Sequence, residues 1–580
     1  MCALTLFDDR HYALIMTELP SKRSKTLVRT GDISVLSFWW KSDDLLLVLI
    51  EDDAGVRRFQ TLDLRAGKVN DLVELTAYQE LQLENELPDE PEAMLFRAIY
   101  YNGNTNDIIR VNLRTGDVKK VVEDPGGIFY WLTNRKGEAL AGWGQLVDQP
   151  FLLWRKQAAD KWQRIDFPKK KLTDYLPFRL APDQQRLIIQ DFRGSSTARL
   201  CYFDPATGAT EEIEPPGAID PDQYQYWGRA KEIAAIVYNG NPRHMRFLNA
   251  DAEAAYQWLS KALPDTDINF ESFSRDNSLA LVYAHNSRNP GVFCLVNFTT
   301  KKISALGISY PAVNPLKCAP TRPFGFTTSD GLKITGSVTL PAGVEKPPVV
   351  LIVGPNINGP IAGNVFSRVD QYFASRGYAT VRINQRGTEK LGRDFAFAGD
   401  FQIATGMVRD LAEGLHWLDT QGWVDVKRTA LFGESWGGLI AFQLAAQPGS
   451  CQALVNFSTP LDLGGVFMTQ LSCSHRSEED LVAAAGSRQA AFSYVQSVDP
   501  LAAARKFSIP SFHFYASGQG GSHVGKLSSI LKDRGLLFEM SVGESAEQMK
   551  AGHRVYWREE AARYEAVANF LDKNLAATSH

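Results

Sequence analysis

Apolar and polar positions follow two different patterns along the 580 residues. Up to about residue 310, short apolar stretches alternate with turns, and one arrangement recurs: an apolar strand, a turn with Asp or Asn, a Gly, then a second short strand. The three copies are 62–69, 111–118 and 202–209. Their glycines are 49 and 92 residues apart, and 92 is about two repeats of ~46 residues.

This spacing predicts a β-propeller, because periods of about 40–50 residues with four strands each are typical of propeller blades. At about 45 residues per blade, this part of the chain has room for seven blades. A pair of antiparallel sandwiches is the alternative architecture. Two sandwiches would not need the repeated turn, so the propeller is favoured.

Beyond Pro320 the apolar stretches alternate between the periods of strands and of helices. Strands are predicted at 348–353, 379–383, 429–432, 453–457, 511–515 and 537–542, and helices at 368–376, 407–421, 437–446, 525–534 and 558–575. Strands that alternate with helices indicate βαβ units and a mostly parallel sheet. We therefore expect two domains, a β-propeller at 1–315 and an α/β domain at 316–580.

Composition indicates a globular protein. Lys and Arg number 62 against 66 Asp and Glu, so no basic excess is available for binding nucleic acid. The longest apolar runs are far shorter than the ~20 residues that span a bilayer, so no membrane partner is expected.

The chain begins without a secretory signal pattern, which predicts a cytoplasmic protein; a mature periplasmic or secreted fragment is the alternative.

Six scattered cysteines form no Cys-x-x-Cys pair, which argues against a disulfide framework or a zinc site. Reduced thiols are expected, as in a reducing compartment. A single bridge between Cys451 and Cys473 is the alternative. The sequence gives no indication of the oligomeric state.

A candidate nucleophile lies between a predicted strand and a predicted helix. Residues 433–438 read Gly-Glu-Ser-Trp-Gly-Gly, which fits the G-x-S-x-G pattern of α/β-hydrolases, where the serine occupies a strained turn. Ser435 would be the nucleophile, and the Trp436 N–H, at the helix N-terminus, an oxyanion donor. A glycine-rich turn whose serine has no catalytic role is the alternative.

The chain order expected for this fold is serine, acid, histidine. Among the histidines after Ser435, His553 follows the last predicted strand and precedes the closing helix, where the general base belongs. His513 alternates within an apolar strand and is expected in the core. His475 and His523 are predicted in loops without supporting pattern.

Further motifs accompany this turn, above all Asn-Gln-Arg-Gly-Thr at 384–388, the segment 417–425 and Gly552-His553. Together they resemble the prolyl oligopeptidase family of serine peptidases, over nearly the whole chain. The resemblance implies a β-propeller followed by an α/β-hydrolase domain, with Ser435 as nucleophile and His553 as general base. Trp436 would form a wall of the specificity pocket, and the propeller would admit only short or unfolded peptides. No metal or organic cofactor is implied.

The acid departs from the family pattern. The family places its catalytic Asp in the loop after the penultimate strand, but here that loop has no carboxylate and Gly521 stands at the acid position. Asp462, one strand beyond the nucleophile, is the candidate replacement. Glu544 and Glu547, just before His553, are weaker candidates.

The second oxyanion element also departs from the family pattern, since only backbone N–H groups near Gly354 are available. The leading hypothesis is a serine oligopeptidase or aminopeptidase that cleaves short peptides. One alternative is a catalytically impaired relative that binds peptides, which Gly521 favours. The other is an esterase or acyl transferase with a Ser–His dyad, because activated esters need less protonation of the leaving group than amides.

Overall fold

The structure is a computed structural model that describes residues 2–6, 12–18, 23–28, 33–52, 56–72, 78–100, 105–146, 149–167, 175–229, 231–240, 242–354, 365–463, 478–516, 521–543 and 557–575. The described residues belong to two compact units. The first is Met1–Asp191, Cys201–Ile213 and Glu544–Arg563, and the second is Phe192–Leu200, Glu214–Gly543 and Tyr564–His580. The predicted boundary between 315 and 316 stays a prediction.

The strands up to residue 308 form the β-propeller, in seven small sheets whose neighbouring strands are consecutive in the chain. The sheets are β1–β3 (Cys2–Leu6, Tyr12–Thr17, Ser24–Val28), β4–β7 (Ile33–Trp40, Leu45–Asp52, Arg57–Asp63, Lys68–Asp71), β8–β11 (Tyr78–Asn85, Ala93–Tyr100, Asn106–Asn112, Val118–Val122), β12–β15 (Ile128–Thr133, Ala139–Leu146, Gln149–Trp154, Gln163–Asp166), β16–β19 (Tyr175–Leu180, Leu187–Asp191, Arg199–Phe203, Thr210–Glu214), β20–β22 (Gln223–Trp227, Glu232–Tyr238, His244–Phe247) and β23–β26 (Asp267–Phe273, Leu279–His285, Val292–Asn297, Lys302–Ile308).

The predicted number of seven blades is not supported. Five of these sheets have four strands, the number that makes up a propeller blade, whereas β1–β3 and β20–β22 have three strands each in the described part of the chain. The three-stranded sheets fall short of the repeating unit, so the number of sheets does not give the number of blades.

The repeated turn is confirmed as one structural element. In all three copies it joins the third and fourth strands of a four-stranded sheet: β6 to β7, β10 to β11 and β18 to β19. Gly67, Gly116 and Gly208 have φ of +65°, +80° and +72°, in the left-handed region that glycine occupies without strain. The Asp or Asn before the turn accepts hydrogen bonds from backbone N–H groups two or three residues later, as with Asp63 and Asn112.

One helix departs from the prediction that this part contains only strands and turns. Helix α1 spans Ala250–Ala262, and the Asn249 side chain caps it by accepting from the Ala252 N–H at 3.0 Å. Leu259, fully buried, packs in one cluster with Ile268 of β23. The local sequence is rich in alanine and has an N-cap residue, a helix signal that the strand pattern around it obscured.

The second half of the chain is built on one eight-stranded sheet with the order β27-β28-β30-β29-β31-β32-β33-β34. Its strands are β27 Thr321–Thr327, β28 Lys333–Thr339, β29 Pro348–Val353, β30 Ala379–Asn384, β31 Asp425–Glu434, β32 Ala453–Phe457, β33 Ser511–Ala516 and β34 Phe538–Gly543. Strands β29 to β34 pair in parallel, and the two strands at the start pair antiparallel. The mostly parallel sheet of the α/β-hydrolase fold is therefore confirmed.

Helices connect these strands, and the described ones are α2 Arg368–Ser375, α3 Arg393–Phe397, α4 Gly406–Thr420, α5 Gly437–Ala445, α6 Glu478–Ala485, α7 Arg488–Ser497, α8 Pro500–Ala504, α9 Gly521–Asp533 and α10 Trp557–Asn574. All five predicted helices occur, with ends shifted by a few residues. The predictions missed α3 and α6 to α8. Short helices such as α3 and α8 carry too few turns for a period to be recognised.

Alternate residues of the central strands pack on opposite faces of the sheet. In β29, Leu351 belongs to a core with α4, α5, α8 and α9, whereas Val350 belongs to a second core with α2 and α10. In β31, Leu431 and Phe432 divide between the same two cores. Burial on both faces explains why these strands read as continuous apolar runs.

A buried ion pair between Arg386 and Asp410 connects the loop after β30 to α4. Arg386 donates to Asp410 from Nε at 3.0 Å and from Nη2 at 2.7 Å, and its backbone N–H donates to the same carboxylate at 2.7 Å. A second carboxylate, Asp330, accepts from Arg386 and Arg409, and the Arg386 hydrogen bond holds the pKa of Asp330 well below its usual range. A Cβ on Gly406 would lie 2.6 Å from Arg386 Cδ, so only glycine fits at this contact.

No described helix is both long and apolar enough to cross a membrane. Among the described residues, Cys294, Cys318 and Cys451 form no disulfide, and burial raises the pKa of Cys451 to about 11. Its proposed partner Cys473 lies outside the described residues.

Candidate active site

The carboxyl ends of neighbouring parallel strands bring the candidate residues to one edge of the sheet. Gly354 follows β29, Ser435 follows β31 and Asp462 lies shortly after β32. Gly521, five residues beyond β33, begins α9. Loops at this edge are where open α/β sheets place their ligands.

Ser435 occupies a strained turn between β31 and α5. Its φ is +48°, in the left-handed region that residues with a Cβ rarely adopt, and its side chain is partly exposed. Its backbone N–H donates to the Phe457 carbonyl at the end of β32, at 2.8 Å. The backbone conformation is therefore held by the neighbouring strand, as the G-x-S-x-G pattern requires.

The glycines of the turn are required by close approach of other atoms. A Cβ on Gly437 would overlap the carbonyl oxygen of Gly354, and one on Gly438 would overlap Thr459 Oγ1. The loop after β29 and the loop after β32 thus press directly against the first turn of α5. The Gly354 segment therefore lies beside the Ser435 turn, and the predicted oxyanion role of an N–H near Gly354 stays a prediction.

Trp436 occupies the N-cap of α5, with φ −62° and ψ −33°. N–H groups of the first helical turn have no partner within the helix and carry the positive end of its dipole. An oxyanion that develops near Ser435 Oγ would meet such donors. The predicted oxyanion role of Trp436 therefore agrees with its place, and it stays a prediction.

The predicted base lies outside the described residues. His553, Glu544 and Glu547 all fall in the segment between β34 and α10 that the structure does not describe. Their roles stay predictions. His513 is confirmed as a core residue: it is fully buried, and burial lowers its pKa to about 3.

Gly521 is the first residue of α9, exposed, with φ +43°. A Cβ at this position would meet no atom within 4 Å. Space for a side chain therefore exists at the acid position, but no carboxylate occupies it.

Asp462 lies beside a histidine that the sequence pattern did not single out. Asp462 Oδ2 is 3.9 Å from His523 Nε2, within ion-pair range but beyond a hydrogen bond. His523 lies in the first turn of α9 rather than in the predicted loop, and Lys526 Nζ is 3.4 Å from its Nε2. Asp462 and His523 lie close together because they follow β32 and β33, which are neighbours in the sheet. The sequence pattern does not give the order of strands in the sheet, so it could not predict this contact.

No group of three or more His, Cys, Asp or Glu side chains in the described ranges is placed to hold a metal ion. The chemistry offered at this edge is that of a serine on a strained turn with backbone donors behind it.

A sequence model of the prolyl oligopeptidase family matches residues 364–578. Dipeptidyl aminopeptidase BIII of Pseudoxanthomonas mexicana is 22% identical over 418 residues, which cover 70% of this chain and 60% of that protein. Dipeptidyl peptidase 8 of Mus musculus is 30% identical over 139 residues, which cover 22% of this chain and 15% of that protein. The chain thus matches about three fifths or less of the length of these relatives.

Among solved structures, one from a study of two prolyl endopeptidases has a TM-score of 0.70 at 15% identity and covers 99% of this chain and 88% of that one. The acylaminoacyl peptidase of Pyrococcus horikoshii has a TM-score of 0.67 at 14% identity, with 100% and 94% covered. At these identities the likeness shows the fold, a β-propeller with an α/β-hydrolase domain.

The close packing of the turn predicts that Gly438→Ala damages it. The added Cβ must displace Thr459, so we expect a loss of about 1–3 kcal/mol in stability, the usual cost of overpacking. The matched control is Gly525→Ala in α9, where a Cβ meets nothing within 4 Å. That variant should gain stability by up to about 1 kcal/mol from helix propensity. Thermal unfolding of both variants checks this, and equal midpoints would contradict the packing argument.

Proposed function

We propose that this chain, which belongs to the prolyl oligopeptidase family of serine peptidases, is an active peptidase that cleaves short peptides through an acyl-enzyme on Ser435. The observation that carries the proposal is the left-handed backbone of Ser435 at a strand-to-helix turn. Such a conformation costs about 1–3 kcal/mol and persists only where the surroundings enforce it, typically at functional sites.

In the proposed reaction, Ser435 Oγ attacks the carbonyl carbon of the scissile bond while His553 accepts the hydroxyl proton. The carbonyl oxygen becomes an oxyanion that the Trp436 N–H and a backbone N–H near Gly354 stabilise. His553 then returns the proton to the leaving amine, and the acyl group stays on Ser435. In the second step His553 accepts a proton from water while the water oxygen attacks the acyl carbon; the bond between that carbon and Ser435 Oγ then breaks, and His553 returns the proton to Oγ.

Asp462 is the proposed acid that orients His553 and stabilises its protonated form. Its support is the shared sheet edge: Asp462 and Ser435 follow neighbouring strands, and Asp462 reaches α9, the helix that begins at the vacant acid position. The acid of a trypsin-like triad contributes about 10⁴ in kcat, whereas nucleophile, base and oxyanion hole retain part of the catalysis without it.

The substrate class comes from the relatives. The proteins similar to this chain include a dipeptidyl aminopeptidase, and the similar structures include a prolyl endopeptidase and an acylaminoacyl peptidase. All three names describe cleavage of peptides or acyl-amino acids. A short peptide is therefore the substrate we propose, without a choice between removal of terminal residues and internal cleavage.

The exposed Gly521, which supplies no carboxylate, favours a second candidate function. An esterase or acyl transferase with a Ser–His dyad would use the same nucleophile, because activated esters leave with little protonation. A catalytically impaired relative that only binds peptides is the third reading. Cleavage of peptide anilides supports the peptidase, cleavage of short-chain esters alone supports the esterase, and no reaction with either supports the binding protein.

A fluorophosphonate probe should label Ser435, because the probe reacts with activated serines. Labelling should disappear in Ser435→Ala and His553→Ala, and it should persist in the control Ser529→Ala, which removes an exposed serine of α9. Peptide mass spectrometry identifies the labelled residue. Wild-type protein that resists the probe between about pH 6.5 and 8.5, where an ordinary histidine with a pKa of about 6.5 is mostly neutral and able to act as a base, would contradict an active serine.

Asp462→Asn tests the acid. If Asp462 orients the base, kcat and the labelling rate should fall by about 10²–10⁴ while the unfolding temperature changes little, since the side chain is exposed. The control is His523→Gln, which removes the neighbour of Asp462 but leaves its carboxylate. An unchanged rate in Asp462→Asn would remove this residue from the triad and leave the nucleophile untouched.

A further inference from the structure

Five polar side chains are wholly buried behind the nucleophile turn. Their exposed fractions are 2% or less, and they lie on β32, on the loop after it and on β33. They are Asn456, Thr459, Ser511, His513 and Tyr515, and we call them the Asn456 network.

The Asn456 amide lies at the centre of this network. Its Nδ2 donates to Tyr515 Oη at 2.9 Å and to His513 Nδ1 at 3.2 Å. Its Oδ1 accepts from the Thr459 N–H at 3.2 Å and from the Thr459 hydroxyl. Because a backbone N–H can only donate, the Thr459 contact fixes which end of the amide faces which partner.

This orientation determines the tautomer of His513. Its Nδ1 accepts from Asn456, so the ring proton is on Nε2, which donates to Ser511 Oγ at 2.9 Å. Burial lowers the pKa of His513 to about 3, so the ring stays neutral throughout the working range of the protein. The network is a set of neutral hydrogen bonds in which every side-chain nitrogen and oxygen atom has a partner.

Two backbone hydrogen bonds connect the network to Ser435. The Ser435 N–H donates to the Phe457 carbonyl, and the N–H of Ser458, one residue later, donates to the Phe514 carbonyl, both at 2.8 Å. Phe457 and Ser458 lie between Asn456 and Thr459, and Phe514 lies between His513 and Tyr515. The network therefore holds both segments whose carbonyls fix the ends of β31 and β32.

Side-chain packing provides a second connection. Thr459 Oγ1 occupies the space where a Cβ of Gly438 would be, against the first turn of α5. Ser458, like Ser435, has a left-handed backbone, with φ +56°. Ser435 and Ser458 follow neighbouring strands, and a strained backbone persists only where the surrounding structure holds it. The Asn456 network is buried and lies next to both residues, so it can hold them.

We propose that Asn456 and Thr459 are positioning residues, which hold the strained backbone at Ser435 and thereby aim its hydroxyl at the substrate. The proposal rests on the proposed function of Ser435 as nucleophile. A network that only satisfied buried polar atoms would contribute to stability without affecting the nucleophile.

Thr459→Val is the direct test, because it keeps the shape of the side chain and removes only the hydroxyl donor to Asn456. We expect kcat and the fluorophosphonate labelling rate to fall by about tenfold, since a small displacement of a reacting group has effects of this size or larger. KM should change by less than about twofold, because substrate binding is not involved. Thr459→Ser, which keeps the donor, should restore most of the rate.

The matched control is Thr429→Val. Thr429 is also fully buried, in β31, and its hydroxyl donates to the Val426 carbonyl at 2.8 Å, at the other end of the strand from Ser435. Both valine variants lose one buried hydroxyl, so similar falls in unfolding temperature are expected. Only Thr459→Val should slow catalysis, and equal kcat values in the two variants would overturn the proposal.

Amide hydrogen exchange tests the positioning without any activity. The amide of Ser435 should exchange about tenfold faster in Thr459→Val than in Thr429→Val, because its acceptor is held less firmly. Unchanged exchange overturns the proposal even if the enzyme is active. If the probe does not label wild-type protein, the proposed function fails. Faster exchange of the Ser435 amide in Thr459→Val would then still show that the network holds the backbone at Ser435.

If Thr459→Val does not fold, Tyr515→Phe replaces it. We expect a smaller increase in the exchange rate of the Ser435 amide in that variant.

Discussion

The hydrogen bond from the Ser435 N–H to the Phe457 carbonyl is the interaction on which the candidate site depends. It ties a residue with φ +48° to the end of the neighbouring strand, so the turn cannot relax into an ordinary helix start. The same constraint explains the glycines that follow, because Gly437 and Gly438 meet the backbone of Gly354 and the side chain of Thr459 without room for a Cβ. The strained backbone and the close packing hold the partly exposed Ser435 in one orientation.

Sheet order determines which other residues can act with it. Strands β29, β31, β32 and β33 are neighbours and parallel, so the loops after them share one edge. This brings Gly354 and Asp462 to the same edge of the sheet as Ser435, although they are distant in the sequence. It also places Asp462 near α9, the helix that begins at the glycine found where the family has its acid. A carboxylate on a neighbouring loop is a physical route by which a serine peptidase could lack the usual acid and keep its chemistry.

Local patterns were enough to predict the alternation of strands and helices, the turn at Ser435 and the burial of His513, because each depends on residues close together in the chain. The repeated turn at Gly67, Gly116 and Gly208 was recognisable for the same reason. Helix α1 was missed because strands surround it. The contacts of Asn456 with His513 and Tyr515, and of Asp462 with His523, join residues more than 50 positions apart, and no local period encodes them. The number of seven blades, inferred from chain length, is not supported, because two of the described sheets have three strands instead of four and chain length does not reveal this.

Pre-steady-state hydrolysis of an activated p-nitrophenyl ester tests the central claim most directly, because it counts serines that form an acyl-enzyme. An active Ser435 should release about one equivalent of p-nitrophenol in a rapid burst before the slower steady state, and Ser435→Ala should show no burst. A linear release from the first time point together with no trapped acyl group at Ser435, or an equal burst in Ser435→Ala, would contradict the account.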